Sequence, residues 1–277
     1  MTQQELDQRF SSAEELKEKG KYLEALTEYL DLLDNYRNPR IFGPAHLISA
    51  LSGIIEIAKH IQEAREALLV RRSQWEEMVL SGSGGYQEMS DIHLMNDLME
   101  HPEQNLVFLT RLANLGPSHQ DAYNRFLKMV WKELASAGRF TELEPCIEKQ
   151  TSFILCQIAQ HHVMWDFAED AEKGEESQGM LEYLLPDAIL IYEALLALGK
   201  DDIASKLAKW VFECEPLAEA PPQFITAANK MGRTDTADAL TRALDSRSFF
   251  PKSGNAGAVS PVPNSGDHSQ VFEGDTP

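Results

Sequence analysis

Positive charge is scarce in this chain: 25 lysines and arginines stand against 44 aspartates and glutamates, a formal net charge of -19. That balance repels phosphate backbones and anionic lipid headgroups, which argues against a nucleic-acid or membrane-surface role. Cysteine is scarce as well. Cys146, Cys156 and Cys214 are odd in number, widely spaced and set in apolar helical context. They form no disulfide framework and read as buried free thiols in a reducing compartment. Long hydrophobic runs are missing: the longest uncharged stretch, 150–165, carries glutamines and a histidine pair, too short and too polar to span a bilayer. The first residues, Met-Thr-Gln-Gln-Glu-Leu-Asp, hold neither a basic start nor an apolar stretch. No secretory signal is therefore expected, and the protein is assigned to the cytoplasm. No Gly-x-Ser-x-Gly, His-Glu-x-x-His or nucleotide-binding glycine loop occurs. The run Ser-Gly-Ser-Gly-Gly at 81–85 has no lysine or threonine after it and no strand before it, so it reads as an exposed loop or hinge.

What is present is helical periodicity. The chain has 277 residues, 43% hydrophobic and 25% charged, enough for one large or two ordinary domains. No segment alternates with a period of two, so the class is all-α. The first helix starts either at a capping box on Ser11 and Ser12, with Glu14 and Glu15 three residues on, or earlier at Leu6. Leu47, Ile48, Leu51, Ile54, Ile55 and Ala58 mark a buried helix over 45–58, followed by a charged helix to residue 80 whose charges read as a solvated face. Helices follow over 89–99, 102–115 and 118–137; the last, with Tyr123, Phe126, Leu127, Val130, Trp131 and Leu134, is the best candidate for the core. A long helix over 141–167 runs into an acidic segment, 166–176, and two hairpins close the folded part, 186–198 with 201–214 and 221–231 with 234–246. From residue 250 the composition turns to Pro, Gly, Ser and Asn without periodicity, which predicts a disordered tail. The expected organisation is hairpins over 1–80, a flexible loop over 81–88, a second helical region over 89–249 and the tail over 250–277.

One phrase recurs. Gly20 is preceded by Leu16 and followed by Tyr22, Ala25, Tyr29 and Leu32, the pattern of two helices joined at a tight turn with a small residue at their crossing. Gly199 repeats it with Leu195, Ala204, Ala208, Val211 and Pro216, Gly232 with Ala228, Ala237 and Leu244, and Gly138 with Leu134, Phe140, Leu143 and Ile147. These residues resemble the tetratricopeptide repeat, a unit of about 34 residues that stacks into a solenoid. The family's early tryptophan is absent, and Asp201 and Thr234 stand where an aromatic belongs. The resemblance implies stacked antiparallel hairpins whose inner face binds a peptide or protein.

Three constellations are candidates for function. Arg125, Lys128 and Lys132 share one face of the helix before Gly138, a basic stripe that the resemblance places in the partner groove; the alternative is pairing with 166–176 or plain solvation. Thr226, Asn229 and Lys230 occupy the equivalent face of the last hairpin and could hydrogen-bond a peptide backbone. The matching face of the first hairpin carries Asp7, Phe10, Glu14, Lys17 and Glu18, unlike the Lys/Asn clamp some family members use for a terminal carboxylate. His162, Asp166 and Glu169, near His161 and Cys156, could converge as metal ligands, but no second helix offers a Glu-x-x-His to complete a bundle centre. The expected function is a protein- or peptide-binding adaptor or scaffold with no cofactor, an acidic segment being among the candidate partners. The other readings are a metal-dependent helical enzyme using His161, His162, Asp166 and Glu169, and an obligate subunit of a larger assembly.

Overall fold

The computed structural model describes residues 2–35, 43–167, 183–214, 217 and 220–245. Among them are fourteen α-helices and no strand. They are α1 (Gln3–Glu18), α2 (Tyr22–Asn35), α3 (Pro44–Ala58), α4 (Gln62–Leu80), α5 (Tyr86–Leu98), α6 (Glu103–Asn114), α7 (Gln120–Met129), α8 (Trp131–Ser136), α9 (Phe140–Leu143) and α10 (Ile147–Phe167). α11 (Leu185–Ala197), α12 (Asp201–Glu213), α13 (Pro221–Lys230) and α14 (Thr234–Asp245) complete the set. The predicted tail over 250–277 and most of the acidic segment lie outside the described residues. No helix among the described residues is long and apolar enough to cross a membrane.

Local signals explain most helix ends. α1 starts early, because Thr2 accepts from the Glu5 N–H while the Glu5 carboxylate accepts from the Thr2 N–H. Ser11 therefore sits inside the helix and turns its hydroxyl back to the Asp7 carbonyl, 2.9 Å away. The four repeat glycines close their helices in one way. Gly20, Gly138, Gly199 and Gly232 have φ between 69° and 71°, and the next residue donates its N–H to the carbonyl five positions back, as Lys21 does to Leu16 at 2.9 Å. Glu100 makes the same turn at φ 59° without a glycine, with His101 donating to Asn96 at 2.8 Å. The 81–85 run is likewise a hydrogen-bonded turn, in which Gly84 N–H and the Ser81 and Ser83 hydroxyls all reach the Met78 carbonyl.

Four expectations are corrected. The helix predicted over 118–137 is two, α7 and α8, broken at Val130 (φ -97°, ψ 23°). The helix predicted from 141 is α9 and α10, separated by the segment holding Pro145, whose ring and missing N–H do not fit a helix interior. The charges of α4 are not simply solvated: Arg71 reaches Asp34 of α2 at 2.6 Å, and Arg72 and Glu76 are largely covered. Cys156 is also exposed, whereas Cys146 and Cys214 are buried as expected.

Packing follows chain order. α1 packs on α2, α2 on α3, α3 on α4 and α4 on α5, while α1 also touches α3 and α3 touches α5. Further on, α6 meets α7 and α8, α8 meets α11, and α11 packs against α10, α12 and α13, with α13 on α14. One continuous apolar core runs through the series, from Leu6 in α1 to Ala237 in α14. Aromatic edges mark its crossings: Phe108 of α6 meets Phe126 of α7 at 5.0 Å, and Phe212 of α12 meets Phe224 of α13 at 5.2 Å.

α2 and α3 approach closely at Gly53. Tyr29 is fully buried, its hydroxyl donates to Glu14, and its ring lies flat against Gly53, where an added Cβ would sit 2.4 Å from Tyr29 Cζ. Gly53→Ala is expected to lower unfolding stability by about 2 kcal/mol through overpacking. Ser52→Ala next to it should stay within about 0.5 kcal/mol of wild type. Urea denaturation followed by circular dichroism compares the two.

Candidate functional site

α5 is an odd helix for a core position. Met89, Ile92 and Met95 are buried on it, but so are Glu88, Asp91 and Asn96. Buried polar groups persist only where they are hydrogen-bonded. From Asn96 a continuous chain of contacts links four helices. Arg72 of α4 donates to the Asn96 carbonyl at 3.3 Å, and the Asn96 amide donates to the Asn105 carbonyl of α6 at 2.8 Å. The Asn105 amide donates to Glu133 of α8 at 2.8 Å and to Asp97 at 3.4 Å. Every donor and acceptor of the fully buried Asn105 side chain is thereby engaged. At the α4 end, Arg111 of α6 reaches Glu76 and, at 3.1 Å, Glu77.

His93 closes the network at the other end. Its Nδ1 lies 3.0 Å from Asp97 one turn on, and its Nε2 lies 3.0 Å from the Met129 carbonyl and 3.5 Å from Glu133. A carbonyl only accepts, so Nε2 carries a proton; a carboxylate faces Nδ1, so that nitrogen carries one too. Burial opposes the charged ring, but the hydrogen bond to Asp97, the charges of Asp97 and Glu133 and the Met129 carbonyl outweigh it. The pKa is pushed up to about 9. Met129 is the last residue of α7, so the imidazolium sits at the negative end of that helix. In an unbroken helix the Met129 carbonyl would take the Glu133 N–H; at the Val130 break it takes the His93 proton instead.

His93, Asp97 and Glu133 are also a donor set for a metal, with ligand atoms within 4.8 Å of one another. Binding a cation there requires His93 to lose a proton and one of its two hydrogen bonds. The arrangement in place is a charged clamp holding the α7–α8 break against α5 and α6. This cluster was missed in the sequence, although His93 and Asp97 at i, i+4 and Asn96 among methionines were its signals.

The sequence-predicted sites are placed as follows. Arg125 and Lys128 are exposed on α7, with no ion pair among the described residues. Lys132 lies beyond the break on α8, so the three do not form one helical stripe; it pairs with Asp187 of α11 at 2.7 Å. Lys230 pairs with buried Glu193 at 2.6 Å, Thr226 donates to the Pro222 carbonyl of its own helix, and Asn229 is exposed. His161 and His162 are half-buried near the end of α10, while Glu169 and the Asp166 side chain lie outside the described residues.

Two measurements follow. His93 stabilises the fold fully below its ordinary pKa of 6.5, and that contribution is lost as pH rises through about 9. Wild-type stability is expected to fall by about 2 kcal/mol relative to His93→Gln between pH 6.5 and pH 9.5, since partial exposure screens the pair; urea titrations at the two pH values read this. Burial pushes the Cys146 thiol up to about 11, so iodoacetamide should alkylate exposed Cys156 first and reach Cys146 and Cys214 only on unfolding, as mapped by peptide mass.

Comparison with known proteins adds no relative: no family model, no curated protein and no solved structure matches the chain.

Proposed function

We propose that this protein is a helical-repeat scaffold that binds a protein or peptide partner in the cytoplasm and does no chemistry of its own. The observation that carries the reading is packing in series. First helices of neighbouring hairpins touch one another, α1 on α3, α3 on α5 and α11 on α13, while each hairpin also packs within itself. Hairpins added this way build a solenoid, and a solenoid leaves one helix face per unit lining a continuous surface. The repeated left-handed turn at Gly20, Gly138, Gly199 and Gly232 supports a divergent tetratricopeptide-like origin for these units.

Within this reading Arg125 and Lys128 are the partner-facing cations, because both are exposed and neither pairs among the described residues. Lys132 and Lys230 are bound to acids of α11 and serve the fold. An acidic partner surface fits the exposed pair by charge.

The test uses the purified full chain as bait. An Arg125→Glu/Lys128→Glu variant is expected to lose a partner that wild type retains from native cytoplasm, with thermal unfolding changed by less than about 0.5 kcal/mol. Quantitative mass spectrometry of the two captures reads the difference, and equal recovery of every partner removes the groove assignment. Lys132 is kept, because reversing it would break the contact with Asp187 and confuse binding with folding.

A further inference from the structure

We propose that a cleft between α3, α4 and the α5–α6 turn binds a short acidic peptide segment through one large apolar side chain and a neighbouring carboxylate. The inference rests on the scaffold reading and assigns a partner class to a surface away from Arg125. The cleft has a volume of about 300 Å³. That is room for a side chain or two of a peptide, at the lower end of small-ligand sites. Its floor is apolar, made by Ile55 of α3, Leu68 of α4, and Leu98 and Met99 at the end of α5.

The rim carries charge. Lys59, which follows α3, and Arg65, in the second turn of α4, both line the cleft, are exposed and make no ion pair among the described residues. Many other cations of this acidic protein are engaged: Arg9 with Glu28 and Asp31, Lys17 with Glu14 and Glu56, Arg71 with Asp34. The remaining titratable groups of the rim are Glu100 and His101, the latter 3.3 Å from Glu103. Glu100 stands in the left-handed turn at φ 59°, a conformation that a residue with a Cβ adopts at a cost.

Each element selects against a simpler ligand. An inorganic anion would use Lys59 and Arg65 and leave the floor wet. A hydrocarbon would cover the floor and leave two cations unpaired. A peptide with an aromatic or branched side chain beside a glutamate or aspartate uses both, and the Glu100 carboxylate can accept one of its backbone N–H groups.

The probe is a fluorescein-labelled, end-capped peptide with one phenylalanine flanked by glutamates, titrated with the full chain and read by anisotropy at low salt. Saturable binding is expected. Lys59→Glu/Arg65→Glu should weaken it by about tenfold or more, and so should a probe with alanine in place of phenylalanine. Circular dichroism melts verify that the variant is folded, and Leu68, in the floor, is left unchanged for that reason. Absence of saturation with wild type, or equal affinity for the charge-reversed variant, overturns the assignment. Loss of affinity on charge reversal alone, with the alanine probe bound equally well, also overturns it by reducing the cleft to a charge patch. These failures leave the scaffold reading to be judged by its own Arg125 and Lys128 comparison.

Discussion

A hairpin of two short helices has more apolar surface than it can hide within itself, and this constraint orders the molecule. On α2, Leu26, Tyr29, Leu32 and Leu33 are all buried, and the helix packs on both α1 and α3. No single neighbour could cover that width, because an α-helix presents only part of its circumference to any one partner. α11 is the extreme case: Leu185, Ala188 and every residue from Ile191 through Leu196 are buried, and it is packed by α8, α10, α12 and α13. α14, described to Asp245, has only Ala237 buried. The gradient from encased to one-faced helices is what serial packing produces, since each added unit covers the one before it.

The parts of the structure legible in the sequence are those decided within a few residues. Helix ranges in the first and last hairpins agree with the pattern of apolar residues because a glycine and a regular stripe specify them locally. The sequence places a break at 100–101, but its left-handed turn escaped because no glycine announces it; an acidic residue, Glu100, holds the left-handed region instead. The break at Val130 escaped for a related reason. Nothing from Gln120 to Ser136 is a helix breaker, and the apolar spacing continues through it. What rewards the break is a proton on His93, more than thirty residues earlier, which takes the Met129 carbonyl that an unbroken helix would occupy. Such a contact has no local signature.

The polar network follows the same logic at higher stakes. Asn105 satisfies Asn96, Asp97 and Glu133 together, so removing its side-chain amide takes a hydrogen bond from three partners on two helices, α5 and α8. An apolar replacement would fill the volume but leave the buried Asn96 amide and the largely covered Glu133 carboxylate each short of a hydrogen bond. The network therefore fixes which residues of α5, α6 and α8 face one another, where hydrophobic packing alone would tolerate neighbouring registers.

Charge explains why one predicted groove divides into structural and surface parts. Asp187 and Glu193 both lie on α11 and are largely covered, with side-chain exposures of 16% and 6%. A carboxylate taken out of water needs a cation, and Lys132 from α8 and Lys230 from α13 supply one each. α11 is thus tied to both neighbours by the same device, and the lysines that the resemblance placed in a partner groove are paired with its carboxylates. In a chain with so few cations, each one used in this way leaves fewer for a partner. Side chains such as Arg125, Lys128, Lys59 and Arg65, held at the surface without that obligation, are then where an acidic partner would find its attraction.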